Sequence, residues 1–131
     1  HITPFVSVIG GKKGEFIMED FTTVAAGCRI ICGSEEYLGE GLVGPTVPEK
    51  YHDKLNIKPV IIEKFASLGT NVVVMPGVTI AEGSVVGANS LVTKSTEPWG
   101  IYYGSPAKFV KPRQKEKMIK MAEELGYKYG K

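Results

Sequence analysis

The sequence predicts an all-β protein built as a parallel β-helix, with one long loop excursion and a short C-terminal α-helix. The first observation is an aliphatic residue at every sixth position of the segment 59–94, namely Ile62, Leu68, Val74, Ile80, Val86 and Val92. The second is a residue no larger than valine four positions after each of the first five, at Ala66, Val72, Val78, Ser84 and Ser90. A period of six fits neither an α-helix nor an ordinary strand.

In a parallel β-helix each hexad forms one flat side, and three hexads close a coil. The aliphatic residue points inward from the middle of a side, and the small residue points inward near a corner, where the converging walls leave little volume. Coils stack at roughly 4.8 Å, so each inward residue should meet the residue eighteen positions later. The expected pairs are Ile62 with Ile80, Leu68 with Val86, and Val74 with Val92.

Weaker hexads predict earlier coils in the N-terminal part of the chain. The hydrophobic residues that start these hexads, called hexad marks below, are Ile2, Val8, Met18, Val24 and Ile30. The step from Val8 to Met18 is ten residues, so four extra residues should bulge out as a turn in the segment GGKKG. Because a first coil starting at Ile2 would leave an open edge, we expect further coils or a cap upstream of His1.

The segment 35–59 is predicted to leave the coil as a long excursion. The count from Ile30 to Ile62 is five hexads plus two, and the residues between lack the hexad pattern. Long irregular loops in compact domains are commonly functional. We therefore expect a binding site or a subunit contact in this excursion, which belongs to a β-helix domain over 1–111. The alternative is an inert loop.

A C-terminal helix and tail are predicted over 112–131. Before it, residues 101–113 indicate an extended strand with turns. The following segment QKEKMIKMAEELGYK places Met118, Met121, Ala122 and Leu125 on one helical face. We expect this face to dock on the last coils and close that end.

Composition limits the possible functions. The chain has 131 residues, 43% of them hydrophobic, and a net charge of +2, which favours a single domain and disfavours a nucleic-acid binder. Cys28 and Cys32 are predicted to be buried free thiols, and these fit a reducing cytoplasm. No apolar run of about 18 residues and no signal peptide are visible, so we expect a cytoplasmic protein without membrane insertion.

Known cofactor motifs are missing from the sequence. The two histidines, His1 and His52, are too few for a three-histidine zinc site. Glycine-rich nucleotide loops and the nucleophile motif GxSxG are also absent. No metal is therefore expected.

The hexads from Ile62 to Val92, the long loop, and the ending LVTK…PWGIYYGSPAKFVK resemble the hexapeptide-repeat acyltransferases. Within that superfamily the chain is most similar to galactoside-type O-acetyltransferases and to sugar acetyltransferases of bacterial cell-surface polysaccharide synthesis. The resemblance implies a left-handed coil, a homotrimer with sites between subunits, acetyl-CoA as acyl donor, and the hydroxyl or amino group of a sugar or nucleotide-sugar as acceptor.

The resemblance also implies where acetyl-CoA would bind. Its pantetheine arm would run past successive coils, and the positions that match the family are Thr70 and Ala88 for the arm, Thr93 and Lys94 for the arm and nucleotide, and Lys108, Lys111 and Arg113 for the phosphates.

The catalytic base is the point where the chain departs from the family. Glu35 stands where the galactoside-type enzymes have a histidine, and a glutamate can act as a general base in a site that excludes water. One alternative is His1, because HITP resembles the HIxP segment of the sugar N-acetyltransferases. The others are His52 reaching a neighbouring subunit's groove, a base upstream of His1, and the acceptor amine itself. Neighbouring acceptor contacts are expected from Glu36, Tyr37 and His52. A non-catalytic β-helix scaffold is the alternative function that the absent histidine would favour.

Overall fold

The structure, a computed structural model, describes residues 1–52 and 55–130. Residues 53 and 54 of the predicted excursion and residue 131 of the predicted tail lie outside these ranges. The elements are β1 Ser7–Ile9, β2 Phe16–Met18, β3 Thr23–Val24, β4 Arg29–Ile31, β5 Gly33–Ser34, β6 Asn56–Ile57, β7 Val60–Ile62, β8 Ser67–Leu68, β9 Val73–Val74, β10 Thr79–Ile80, β11 Val85–Val86, β12 Leu91–Val92, β13 Gly100–Gly104, β14 Ala107–Pro112 and α1 Glu116–Glu124.

Three sheets are visited in turn as the chain advances. Sheet 1 contains β3, β8, β11, β13 and β14, sheet 2 contains β1, β4, β9 and β12, and sheet 3 contains β2, β7 and β10. Every pairing within them is parallel except the terminal hairpin β13–β14. The mostly-strand, parallel architecture with one short C-terminal helix therefore agrees with the prediction from the hexads.

The predicted register of eighteen residues is confirmed in all three sheets. The paired residues are Ile62 with Ile80, Leu68 with Val86, and Val74 with Val92. These aliphatic side chains and the small corner residues between them are at most 2% exposed. Stacking therefore buries a continuous column of side chains that no single coil could bury alone.

Two departures from this register locate the insertions. Val8 pairs with Ile30, 22 positions away, which is four more than a plain coil. The extra residues form the short 3-10 turn Gly11–Lys13, as predicted. Met18 pairs with Ile62, 44 positions away, so the excursion adds 26 residues to its coil.

The two cysteines are buried free thiols, as predicted. Cys28 and Cys32 are each fully inaccessible and form no disulfide. The Cys28 thiol donates to the Gly69 carbonyl at 3.0 Å. Burial raises the pKa of both thiols, so they serve as small core residues.

In the described residues, β10 is the last strand of sheet 3, and the segment after β12 covers its edge. The hydroxyl of Ser95 accepts a hydrogen bond from the Thr79 backbone N–H at 2.9 Å, and Thr96 Oγ1 accepts one from Ala81 at 2.8 Å. The Thr96 hydroxyl then donates to Ser84 Oγ at 3.0 Å. Side-chain oxygens therefore satisfy edge N–H groups that would otherwise be unpaired.

The helix α1 packs on a corner, and not on the end of the last coil. Its buried residues Ile119 and Ala122 contact a cluster that includes Phe65 and Trp99 at the corner between sheets 3 and 1. Leu125 stays 80% exposed. The helix therefore contacts the last coils as predicted, at Phe65 and Trp99, but it lies along their corner and not across the end of the coil.

A carboxylate holds the C-terminal segment to the same corner. Glu82 accepts hydrogen bonds from Trp99 Nε1 at 2.9 Å and from the Tyr129 hydroxyl at 2.6 Å, and it lies 3.7 Å from Lys64 Nζ. Burial alone would raise the pKa of Glu82, but these donors and the charges of Lys64 and Lys115 outweigh burial and lower it. The ionised carboxylate is thus the form that stabilises the corner.

Within the described ranges, the helix found is too short and too polar to cross a bilayer.

Candidate active site

The excursion leaves and rejoins the coil through a small antiparallel ladder. In it β5 pairs with β6, with Gly33 opposite Ile57 and Ser34 opposite Asn56. The ladder lies at the corner between sheets 2 and 3. This fixes both ends of the excursion, so its first residue, Glu35, has a defined position at the base.

The turn Gly11–Lys13 is packed tightly against this ladder. A Cβ atom on Gly10 would lie 2.9 Å from Cys32 Cβ, and one on Gly33 would lie 3.2 Å from the Gly10 carbonyl oxygen. A Cβ atom on Gly14 would lie 2.7 Å from the same oxygen. Since these approaches leave no room for side chains, the three glycines allow the turn to form one wall of a cleft.

The excursion forms the opposite wall. The open cleft between the two walls has a volume of about 940 Å³, within the range of roughly 300–1,000 Å³ typical of small-molecule sites. Its apolar lining includes Ile9, Ile31, Val47, Leu55 and Ile57, and its polar lining includes Lys12, Lys13, Ser34, Glu35, Glu49 and His52. The structure therefore brings together the predicted residues Glu35 and His52.

The charged groups of the cleft are not paired with one another. Among the residues that the structure describes, the ion pair formed is Lys64–Glu82, which lies at a different corner. His52 is half-buried, and its Nδ1 has no hydrogen-bond partner among the described residues. Within residues 1–52 and 55–130, two lysines, two glutamates and an imidazole nitrogen therefore line the cleft without pairing with one another.

Glu36 has a different environment from its neighbour. Its carboxylate accepts hydrogen bonds from the backbone N–H groups of Leu38, Gly39, Glu40 and Gly41. Burial would raise the pKa of Glu36, but these four bonds outweigh burial and lower it. Glu36 therefore organises the start of the excursion, and its predicted contact with the acceptor stays a prediction. Tyr37, beside it, is 69% exposed.

His1 lies away from Glu35. It lines a separate cleft of about 660 Å³ with Glu19, Thr22 and Met118, between the first coil and α1. The two candidate bases, Glu35 and His1, are therefore not in one cleft of a single chain.

The positions predicted for the pantetheine arm form a ladder, as their spacing requires. The backbone N–H of Asn89 donates to the Thr70 carbonyl at 2.9 Å. A Cβ atom on Gly69 would lie 2.8 Å from the Ala88 nitrogen, so adjacent coils are in close contact here. Thr70 and Ala88 are both exposed at the corner between sheets 1 and 2.

The remaining predicted contacts lie elsewhere on the surface. Thr93 and Lys94 are exposed at the next corner, between sheets 2 and 3. Lys108 and Lys111 are exposed on β14. One chain alone therefore does not gather the predicted coenzyme contacts into a single groove.

Arg113 is bonded inside the protein. Its guanidinium Nη1 donates to the Phe65 carbonyl at 2.7 Å and to the Gly83 carbonyl at 2.9 Å. Burial lowers its pKa. These bonds give Arg113 a structural role at the aromatic corner, and its predicted contact with phosphate stays a prediction.

Sequence reasoning missed three charged residues of the cleft, Lys12, Lys13 and Glu49. For the lysines a signal was present, since the excess of four residues between Val8 and Met18 marks an insertion. Glu49 had no such signal, because only the fold of the excursion brings it back toward the coil.

Comparisons with known proteins agree with this architecture. The family model of the bacterial transferase hexapeptide, six repeats, matches residues 59–94. The dTDP-4-amino-4,6-dideoxy-D-glucose acyltransferase of Escherichia coli is 31% identical over 116 residues, 88% of this chain and 59% of that protein. A probable macrolide acetyltransferase of Lysinibacillus sphaericus is 33% identical over 129 residues, 89% of this chain and 69% of that protein.

A solved structure extends the similarity to nearly the whole chain. The N-acyltransferase AntD of Bacillus cereus, in complex with dTDP and 3-hydroxybutyryl-CoA, superposes with a TM-score of 0.86 at 32% identity. The match covers 95% of this chain and 65% of AntD.

The coils of hexads and the ladder of paired inward residues are the architecture of the hexapeptide-repeat class. The chain belongs to the hexapeptide-repeat acyltransferase family. It spans about three fifths of the Escherichia coli relative, at 59% of that protein's length.

Proposed function

We propose that this protein transfers an acyl group from an acyl-CoA thioester to the amino or hydroxyl group of a sugar or nucleotide-linked sugar. The observation that carries the proposal is the superposition on AntD, whose structure holds dTDP and 3-hydroxybutyryl-CoA. The amino group is the better candidate, since AntD is an N-acyltransferase and the Escherichia coli relative is named for an amino sugar. Of the hydroxyl and amino acceptors expected from the sequence, this proposal favours the amino group.

The chemistry needs a proton acceptor and a group that stabilises an oxyanion. The acceptor nitrogen attacks the thioester carbon, and the carbonyl oxygen takes the negative charge. Collapse of this intermediate breaks the C–S bond, and the proton lost by nitrogen is delivered to the CoA sulfur. We assign the proton transfer to Glu35, because it lines the cleft together with the other polar groups that could contact an acceptor.

The acyl-CoA site is proposed to lie between subunits of a left-handed homotrimer. In support, Thr70 and Ala88 lie at one corner of the coil, whereas Glu35, Thr93 and Lys94 lie at the next. Two subunits placed side by side would bring these two corners to opposite sides of one groove. Lys108 and Lys111 would then contact the phosphates of the coenzyme.

A role in bacterial cell-surface polysaccharide synthesis follows from this acceptor class. Activated sugars for such polymers are made in the cytoplasm, and we place the protein there. His1, in its own cleft, would belong to the site only if a neighbouring subunit brought that cleft to the groove.

Calorimetric titration with CoA tests the proposal first. We expect saturable binding, and then transfer from acetyl-CoA or 3-hydroxybutyryl-CoA to a panel of amino sugars and their nucleotide-linked forms, followed by the release of free thiol. No heat of binding at millimolar CoA would refute the enzyme and favour the scaffold alternative.

The role of Glu35 needs a matched pair of variants. Glu35→Gln keeps the shape of the side chain and removes the proton acceptor, and we expect kcat to fall by about 10²-fold or more. Glu124→Gln, on the exposed face of α1, makes the same chemical change outside the cleft and should leave kcat unchanged. Full activity of Glu35→Gln would overturn the assignment, and His1→Ala would then be the next variant to assay.

A further inference from the structure

We infer that the turn Gly11–Lys13 is an anion-binding wall of the acceptor cleft, and that Lys12 and Lys13 hold the diphosphate of a nucleotide-linked acceptor. The inference rests on the proposed function and assigns the part of the acceptor that these residues recognise. It starts from a feature that the coil does not need, a four-residue insertion between β1 and β2.

The turn is built to hold a fixed position. Gly10 and Gly33 approach each other closely enough that a Cβ atom on Gly33 would lie 3.2 Å from the Gly10 carbonyl oxygen. Gly11 has a φ of 61°, in the left-handed region that favours glycine. The backbone at these positions places the two following lysines in the lining of the cleft.

The lysines are free to bind an anion. Both line the cleft, and both are exposed. In the part of the chain that the structure describes, neither forms an ion pair with Glu35 or Glu49. Opposite charges that line one cleft without pairing suit a ligand that carries both an anion and a proton-bearing nitrogen or hydroxyl.

A nucleotide-linked amino sugar has this distribution of charge. Its diphosphate would contact the lysines, and its amino group would lie toward Glu35, which the proposed reaction requires. The apolar lining, including Ile31 and Leu55, would contact the base or the sugar ring. A free amino sugar lacks the diphosphate and could use only the Glu35 side of the cleft.

The test uses dTDP as the probe and two double variants of equal charge change. Lys12→Gln/Lys13→Gln removes the proposed contacts, and Lys117→Gln/Lys120→Gln removes two exposed lysines of α1. By calorimetry we expect the first variant to bind dTDP at least about 10-fold more weakly than the wild type, since hydrogen bonds to charged groups are lost. We expect the second to bind like the wild type. The affinity of the wild type should also fall as salt is added.

Kinetics separate this inference from the proposed function. The first variant should lose at least about 10-fold more kcat/KM with a nucleotide-linked amino sugar than with the same sugar free. Equal dTDP affinity in both double variants, or no binding of dTDP to the wild type, would overturn the anion site. Failure of the wild type to acylate any acceptor while dTDP still binds through these lysines would refute the reaction and leave the anion site standing.

Discussion

Substitution of Gly83 by alanine tests the packing of the aromatic corner directly. Gly83 has a φ of 70°, and a Cβ atom placed on it would lie 2.2 Å from Cδ2 of Trp99. The indole is 8% exposed and donates to Glu82 at 2.9 Å, so it has no free space into which to move. We therefore expect the substitution to displace the ring and break this hydrogen bond.

The expected loss of stability is the sum of backbone strain, a lost hydrogen bond and lost packing of the indole ring. Left-handed backbone strain on alanine costs about 1–2 kcal/mol. Loss of a hydrogen bond to a charged group costs about 1.5–3 kcal/mol, and complete removal of a buried aromatic ring sets an upper limit of about 3–5 kcal/mol on the lost packing. Because displacement loses only part of that packing, we expect the free energy of unfolding to fall by about 3–6 kcal/mol.

Gly126 provides the matched control. Its φ is 94°, and a Cβ atom there meets nothing within 4 Å. Gly126→Ala therefore carries backbone strain without a clash, at about 1–2 kcal/mol or less. Denaturant unfolding followed by fluorescence measures the stability of both variants. Trp99 is the single tryptophan of the sequence. A red shift in the native emission of Gly83→Ala would therefore report the displaced ring. Equal stabilities of the two variants, with unchanged emission, would refute the packing of Trp99 over Gly83.

Three further substitutions, one of them with a matched control, test the inward packing of the coil, the closure of sheet 3 and the carboxylate of Glu82. Leu68→Ala should lower the free energy of unfolding by about 3–5 kcal/mol, whereas Ser67→Ala, the outward neighbour on the same strand, should change it by less than about 0.5 kcal/mol; equal effects would contradict the inward assignment. Thr96→Val should cost about 1–3 kcal/mol, because the buried Ala81 N–H loses its acceptor, and denaturant unfolding measures it. The pKa of Glu82 is lowered in the folded protein, so its contribution is present at neutral pH and is lost as the pH falls below the ordinary value of 4.5; the stability gap between Glu82→Gln and the wild type should therefore be constant above about pH 6 and narrow as the pH is lowered below 4.5 in thermal melts, and a gap that stays constant would refute the role of the ionised carboxylate.

Much of the coil could be predicted because its period is a property of neighbouring residues along the chain. Each coil repeats the same three sides, so the partner of an inward residue is found by counting eighteen positions along the sequence. This holds for Ile62, Leu68 and Val74. The turn after Val8 was also predictable, because an insertion shifts the count by its own length.

The packing surface of α1, formed by the aromatic residues Phe21, Phe65 and Trp99, could not be predicted by counting hexads. Phe21 and Phe65 stack with ring centroids 5.2 Å apart, although 44 positions separate them. Neither residue falls on a hexad mark, and both have a left-handed φ. The surface on which α1 packs was therefore invisible to a search for apolar periodicity.

The candidate site also has one part that counting could place and one part that it could not. Glu35 could be placed at the start of the excursion by extending the count past Ile30, and in the structure it lines a cleft. Glu36, its neighbour in sequence, turns its carboxylate to four backbone N–H groups of the excursion. Sequence proximity could not distinguish these two roles, because they depend on the path of the backbone after residue 36.

The sequence by itself determined the repeat, the inward residues and the positions of the two insertions, because each depends on spacing within a coil. Only the tertiary structure decided that the turn Gly11–Lys13 and the excursion face each other across one cleft. Their charged residues are separated by up to 40 positions, from Lys12 to His52. The β5–β6 ladder and the close contact of Gly10 with Gly33 bring them together, and such contacts between distant segments leave no period in the sequence.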